Sequence, residues 1–171
     1  MMTMNDIIIK TPNFTLKTLN SSDKLDLYLS WMRNVTNNAF ILTCRESYSL
    51  EELKSFIDES NSSSETILLG IFEDKTKKHI GNIKYSEINQ LTNSANMGIL
   101  IGQSEWWGKG VGQEVVLTSV EWLKKEFRIK KVTLGVDIDN VAAINLYNKL
   151  GFIKVNRYAP KERSIIMELT L

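Results

Sequence analysis

Cysteine and histidine are almost absent. The lone Cys44 cannot close an internal disulfide, and the lone His79 leaves no Cys–His set with metal-site spacing. A reducing, cytoplasmic setting without a bound metal is expected. Long apolar runs are missing too. No stretch approaches the roughly 18 apolar residues of a membrane span, and the run in MMTMNDIIIK is too brief for a secretory signal. A net charge of +1 gives no broad field for nucleic acid or anionic lipid, so any partner must be recognised locally. The two prolines, Pro12 and Pro160, lie near the ends, and no Pro/Gly/Ser-rich linker interrupts the middle. One domain is therefore expected across residues 1–171. No repeat at solenoid periods is visible.

What the chain does have is periodicity. Asn13 to Thr18 reads as a short strand, and Ser22 to Arg33 places Leu25, Leu29 and Met32 on one helical face. A second helix begins at Ser49, which with Glu52 makes a capping-box pattern and buries Leu53, Phe56 and Ile57. Thr66 to Phe72, Ile80 to Ile88 and Ala95 to Ile101 read as three successive strands forming a meander. The longest helix carries Val116, Val120, Leu123 and Phe127 at helical spacing. Lys131 to Asp137 alternates as a strand, and Asn140 to Leu150 is a helix stopped by Gly151. Strands over Phe152 to Arg157 and Ser164 to Leu171 complete an α/β reading with about seven strands in a mixed sheet and helices on its faces. The last strand, if exposed, could pair two subunits into a homodimer.

The segment ILIGQSEWWGKGVGQEV joins an apolar strand to an amphipathic helix. Its glycines allow several amides to point into one concave space, and the amides of Gly110, Val111, Gly112 and Gln113 fall at a helix N-terminus suited to a diphosphate. The same glycines could simply build a tight turn. A dinucleotide fold would place such a motif after the first strand, and a triphosphate loop would follow its lysine with Ser or Thr; here Gly110 follows Lys109.

About thirty residues further on, in VDIDNVAAINLYNKLGF, Asn140, Ala143 and Tyr147 fall on one side of a short helix. GKGVG after an apolar strand, followed by N-x-x-A-x-x-L-Y-x-K-L-G-F, resembles the GNAT family of N-acetyltransferases, in particular the branch that acts on ribosomal-protein N-termini and small amines. LSWMRN and YSLEELKSFI extend the resemblance over nearly the whole chain. It implies a strongly twisted sheet whose central strands splay apart to admit acetyl-coenzyme A. The pantetheine arm would lie along Ile99, Leu100 and Ile101, and the diphosphate in the turn from Trp107 and Gly108 through Lys109, Gly110, Val111, Gly112 and Gln113. Trp107 stands where family members often carry Arg or Gln.

Direct transfer needs a neutral amine, an oxyanion donor and an acid for the departing thiolate. The resemblance gives the last task to Tyr147, a phenol that stays protonated at neutral pH; the alternative is an aromatic that only packs on the sheet. Asn140 could bond the cofactor arm or cap its helix, with Ala143 beside it. A backbone amide near Leu100 is the expected oxyanion donor. For the base, Glu87 is the leading choice, with Tyr85 or a water chain as alternatives, while His79 reads as a surface turn residue. The acceptor pocket is expected from the first two helices and their loop. Trp31, Arg33, Asn34, Phe40, Arg45 and Tyr48 gather there, with Tyr85 nearby. This group leans toward an anionic or small polar amine, because either arginine could meet a carboxylate or phosphate bidentately. A binding module without turnover and an ATP-binding domain are the competing readings.

Overall fold

The computed structural model describes residues 6–41, 44–156 and 163–171. The described chain enters through two antiparallel strands, β1 (Ile8–Lys10) and β2 (Phe14–Thr18), followed by helices α1 (Asp26–Arg33) and α2 (Leu50–Ser62). The expected meander then runs through β3 (Ile67–Glu73), β4 (His79–Asn89) and β5 (Ser94–Ile101). A short 3₁₀ turn (Ser104–Trp106) leads into α3 (Val111–Phe127), then β6 (Lys131–Asp137), α4 (Val141–Lys149), β7 (Ile153–Val155) and β8 (Ser164–Thr170). Among the described residues, eight strands join one mixed sheet in the order β1-β2-β3-β4-β5-β6-β8-β7.

The sheet has one strand more than expected. β1 spans three residues and shows a single buried side chain, Ile9, between two exposed ones, too short an alternation to stand out in IIIK. Helix α1 starts at Asp26 rather than Ser22 because a tight turn uses the preceding residues: Asp23 N donates to Asn20 O, and Asn20 N donates to Asp23 Oδ2. The start of α2 follows the expected capping box, with Glu52 N donating to Ser49 Oγ at 3.1 Å and Ser49 N to Glu52 Oε2 at 2.8 Å. The strand expected over Phe152 to Arg157 is confined to Ile153–Val155, and Arg157 lies outside the described residues.

Alternation along the strands divides the core between two faces. Leu68 joins Tyr28, Trp31, Leu53 and Ile57 under α1 and α2. Its neighbours Ile67 and Leu69 join Ile83, Tyr85, Val116, Val120 and Tyr147 under α3 and α4. The final strand is not an edge, contrary to expectation. β8 pairs with β6 along its whole length and with β7 through Ile166 to Glu168, which leaves β1 and β7 at the edges.

One irregularity positions the site. β5 pairs with β4 from Ser94 to Ile101, but with the parallel β6 only at Ser94↔Lys131, Ala95↔Val132 and Asn96↔Thr133. Beyond Asn96 and Thr133 the two strands part, and β6 continues on β8 alone.

Candidate active site

The gap between β5 and β6 is lined by backbone on its β5 side. Gly102 N donates to Ile80 O at 3.0 Å, and a β-carbon on Gly81 would come within 2.3 Å of Leu100 O. The even-numbered residues at this end of β5 therefore turn their N–H and C=O groups to β4, and Met97, Ile99 and Ile101 turn theirs to the gap. Leu100 departs from expectation here: its backbone is committed to β4, and it lines a cavity on the α1/α2 side. The backbone amides that an oxyanion or a pantetheine arm could reach are those of Met97 and Ile99.

The glycine turn closes the far end of β5. Gly108 and Gly110 have φ of +70° and +80°, a left-handed conformation that glycine adopts without the steric cost of a β-carbon. Gly110 caps α3, and the first helical bond runs from Glu114 N to Gly110 O. The amides of Val111, Gly112 and Gln113 precede that bond and have no partner within the helix. Three orphan donors at the positive end of a 17-residue helix are an arrangement able to interact with an anion. Glu114 does not compete for that space, because it accepts from Thr11 Oγ1 and from Asn13 N and Nδ2, fastening the β1–β2 hairpin to α3. Lys109 lies with its Nζ 5.6 Å from the centre of the Trp106 ring. Trp107 Nε1 donates to Ile101 O at 2.7 Å, so the indole caps the last gap-facing carbonyl of β5.

Helix α4 follows β6 and approaches this turn. A β-carbon on Gly112 would come within 2.7 Å of Leu146 Cδ2, which sets the start of α3 against the residue beside Tyr147. Asn140 caps α4, accepting from Ala143 N at 3.2 Å; its side-chain oxygen is engaged in the capping role. Tyr147 is buried beside Phe152, with no side-chain hydrogen bond to its hydroxyl among the described residues. Burial pushes its pKa up to about 12.

Several expected acceptor residues are placed otherwise. Tyr85 is fully buried, its hydroxyl 2.7 Å from Ser119 Oγ beneath α3, so it is a core residue that can neither touch an acceptor nor serve as a base. Trp31 is buried against Gly102, His79 and Tyr28 rather than presented to a ligand. Arg33 Nε donates to Tyr48 O, and Arg45 pairs with Glu52 while lying over the Tyr48 ring. His79 is not at the surface. It is stacked on Phe72 and enclosed by Trp31 and Tyr28, and burial lowers its pKa. Glu87 is exposed and sits with φ +52° at the bulge of β4, between the Ser86↔Asn96 and Asn89↔Ser94 pairs, level with the point where the gap opens.

On the α1/α2 face, beside β5, lies a cavity of about 190 Å³ whose wall includes Tyr28, Tyr48, Phe56, Asn82, Lys84 and Leu100. Asn82 and Lys84 were not anticipated. In IGNIKYSEI they alternate with Ile83 and Tyr85, the mark of a strand whose polar face meets water. Only the covering helices make that face a pocket. Among the described residues no cluster of three or more His, Cys, Asp or Glu could hold a metal, and no helix is long and apolar enough to cross a membrane.

A gap in the sheet with a glycine turn after one strand and the Tyr147 helix after the other coincides with a family match. Residues 13–153 match the family model described as "Acetyltransferase (GNAT) domain". The chain belongs to the GNAT acetyltransferase family. This GNAT chain is 28% identical over 151 residues to an uncharacterised protein of Methanocaldococcus jannaschii, covering 88% of the chain but only 30% of that longer protein. It is 28% identical over 146 residues to a spermidine N(1)-acetyltransferase of Vibrio cholerae, covering 82% of the chain and 79% of the relative. The structure of spermidine N-acetyltransferase from Vibrio cholerae with CoA and spermine superposes with a TM-score of 0.74 at 21% identity, over 92% of this chain and 95% of that one.

Proposed function

We propose that this GNAT domain transfers an acetyl group directly from acetyl-coenzyme A to a primary amine. The observation that carries the reading is the parting of β5 from β6 after Asn96, with the glycine turn at the end of one strand and the Tyr147 helix following the other. The residues fit the cosubstrate. Orphan amides at Val111, Gly112 and Gln113 suit a diphosphate, and the gap-facing backbone of Met97, Ile99 and Ile101 offers an amide arm a strand-like partner. The solved Vibrio cholerae relative, which carries CoA, supports the same choice.

When bound, acetyl-coenzyme A supplies an acyl group activated as a thioester. The chain's own residues provide the rest. The turn residues Trp107 to Gln113 anchor the anionic end, and the β5 backbone fixes orientation. The Met97 or Ile99 amide donates where negative charge would develop on oxygen. Tyr147 holds its proton on Oη throughout the neutral range and can donate it to sulfur. Glu87, exposed at the β4 bulge level with the point where β5 and β6 part, is the proposed proton acceptor for the incoming amine, directly or through water. Asn140 and Ala143 position Tyr147 by fixing the first turn of α4.

Acceptor-dependent release of free thiol from acetyl-coenzyme A, followed across a panel of amines, tests this function. Turnover that falls roughly 10²-fold in kcat in Tyr147→Phe, with the KM for acetyl-coenzyme A unchanged, supports the assignment. Tight coenzyme A binding with no acceptor-dependent thiol release would identify a binding module instead.

A further inference from the structure

We propose that the cavity beside the gap selects an amine carrying an anionic oxygen group, through Lys84 and Asn82, and disfavours polycationic amines. This deepens the acetyl-transfer reading and rests on it.

The two residues stand on one face of β4 directly opposite the gap-bearing strand, Asn82 paired with Leu100 and Lys84 with Gly98. A β-carbon on Gly98 would meet nothing within 4 Å, so open space lies on β5 opposite Lys84. Lys84 has no carboxylate within ion-pair distance among the described residues; its Nζ lies 5.1 Å from the centre of the Phe56 ring. Asn82 is only 4% exposed. Its Oδ1 faces His79 Nε2 at 2.8 Å, and its Nδ2 has no hydrogen-bond partner among the described residues. A buried donor left unpaired is unfavourable until an acceptor atom reaches it. His79 is thereby a positioning residue for the Asn82 amide.

The remaining wall carries no compensating negative charge. None of the described lining residues is Asp or Glu. Burial raises the pKa of both Tyr28 and Tyr48, so the two phenols stay neutral. Glu52, the carboxylate next to Tyr48, is engaged by Arg45 and by the cap of α2. The Lys84 charge repels a second ammonium, and together with the Asn82 amide donor and the two phenol hydroxyls it offers hydrogen-bond donors to carboxylate or phosphate oxygens.

The test uses the protein saturated with coenzyme A, whose own binding is measured first by calorimetry. Glucosamine 6-phosphate, glucosamine and spermidine are then titrated into that complex. The expected order is glucosamine 6-phosphate tightest and spermidine weakest, with a ratio of roughly tenfold or more between them. Lys84→Arg should keep the order, Lys84→Met should collapse the ratio, and Lys84→Glu should invert it, with coenzyme A affinity unchanged in all three. Spermidine binding as tightly as the anionic amine, no binding of the anionic amine, or an unchanged ratio in Lys84→Met would each overturn the proposal. Loss of coenzyme A binding by the wild-type protein would instead overturn the acetyl-transfer reading beneath it.

Discussion

Tyr147 and His79 show how burial sets the chemistry of single residues. Burial raises the Tyr147 pKa to about 12, so the phenol keeps its proton throughout the neutral range. The pH profile of kcat should therefore show no limb from Tyr147 below about pH 11. A basic limb near pH 10 that vanishes in Tyr147→Phe would contradict its buried placement. His79 behaves in the opposite sense. Its folded pKa is lowered, chiefly by burial, so the unfolded chain takes up a proton at higher pH than the folded one does. Its contribution is fully present above the unfolded value of about 6.5 and is lost as pH falls toward the folded value. Unfolding free energy measured by denaturant titration should decline from pH 7 to 5, with His79 contributing at most about 1.4 kcal/mol per pH unit to a slope that Glu52, Glu73 and Glu114, whose carboxyls are also held low, steepen toward pH 5. Since His79 is the sole histidine, His79→Gln should remove its share of that slope. The shared helix of Tyr147 and Asn140, and the Asn140 cap, were legible in sequence because their spacing and chemistry are local. Tyr85 and His79 were not, since a strand's alternation separates two faces without saying which helix covers each.

At the scale of elements, the backbone conformation of the glycine turn and the closeness of β4 to β5 carry the strongest expectations. Gly110 needs φ +80° and meets nothing within 4 Å of a β-carbon, so Gly110→Ala adds conformational strain without a clash. The change should cost about 1 kcal/mol in chemical denaturation, and a tilted α3 N-terminus should weaken acetyl-coenzyme A binding. Gly81 is a different case. A β-carbon there would sit 2.3 Å from Leu100 O, a backbone atom that cannot swing aside. Gly81→Ala should force β4 and β5 apart and lower the melting temperature far more than Gly110→Ala does. Equal shifts in the two variants would show that the strand contact is softer than its geometry implies. The capping box at Ser49, the meander and the Gly151 stop were all readable, because each rests on local chemistry. The three-residue β1 and the late start of α1 were not. One is too brief to show a period, and the other depends on the hydrogen bonds between Asn20 and Asp23.

For the whole molecule, the decisive feature is the sheet order, which sequence periodicity does not encode. Placing β8 between β6 and β7 lets β6 leave β5 while keeping its other edge paired, so the gap opens without leaving β6 unsupported. Sequence alone reached this gap only through resemblance to a family; of the Ile99, Leu100 and Ile101 it placed along the gap, the observed register keeps Ile99 and Ile101, turns Leu100 to β4 and adds Met97. The most direct test is amide hydrogen exchange, resolved by residue, with and without acetyl-coenzyme A. Ligand-induced protection is expected at Met97, Ile99 and Ile101 on β5 and at Val111, Gly112 and Gln113 in α3, with little change at Leu100, whose amide already faces β4. Protection absent from these positions with acetyl-coenzyme A, or produced at the turn by ATP instead, would contradict the proposed acetyl-coenzyme A site.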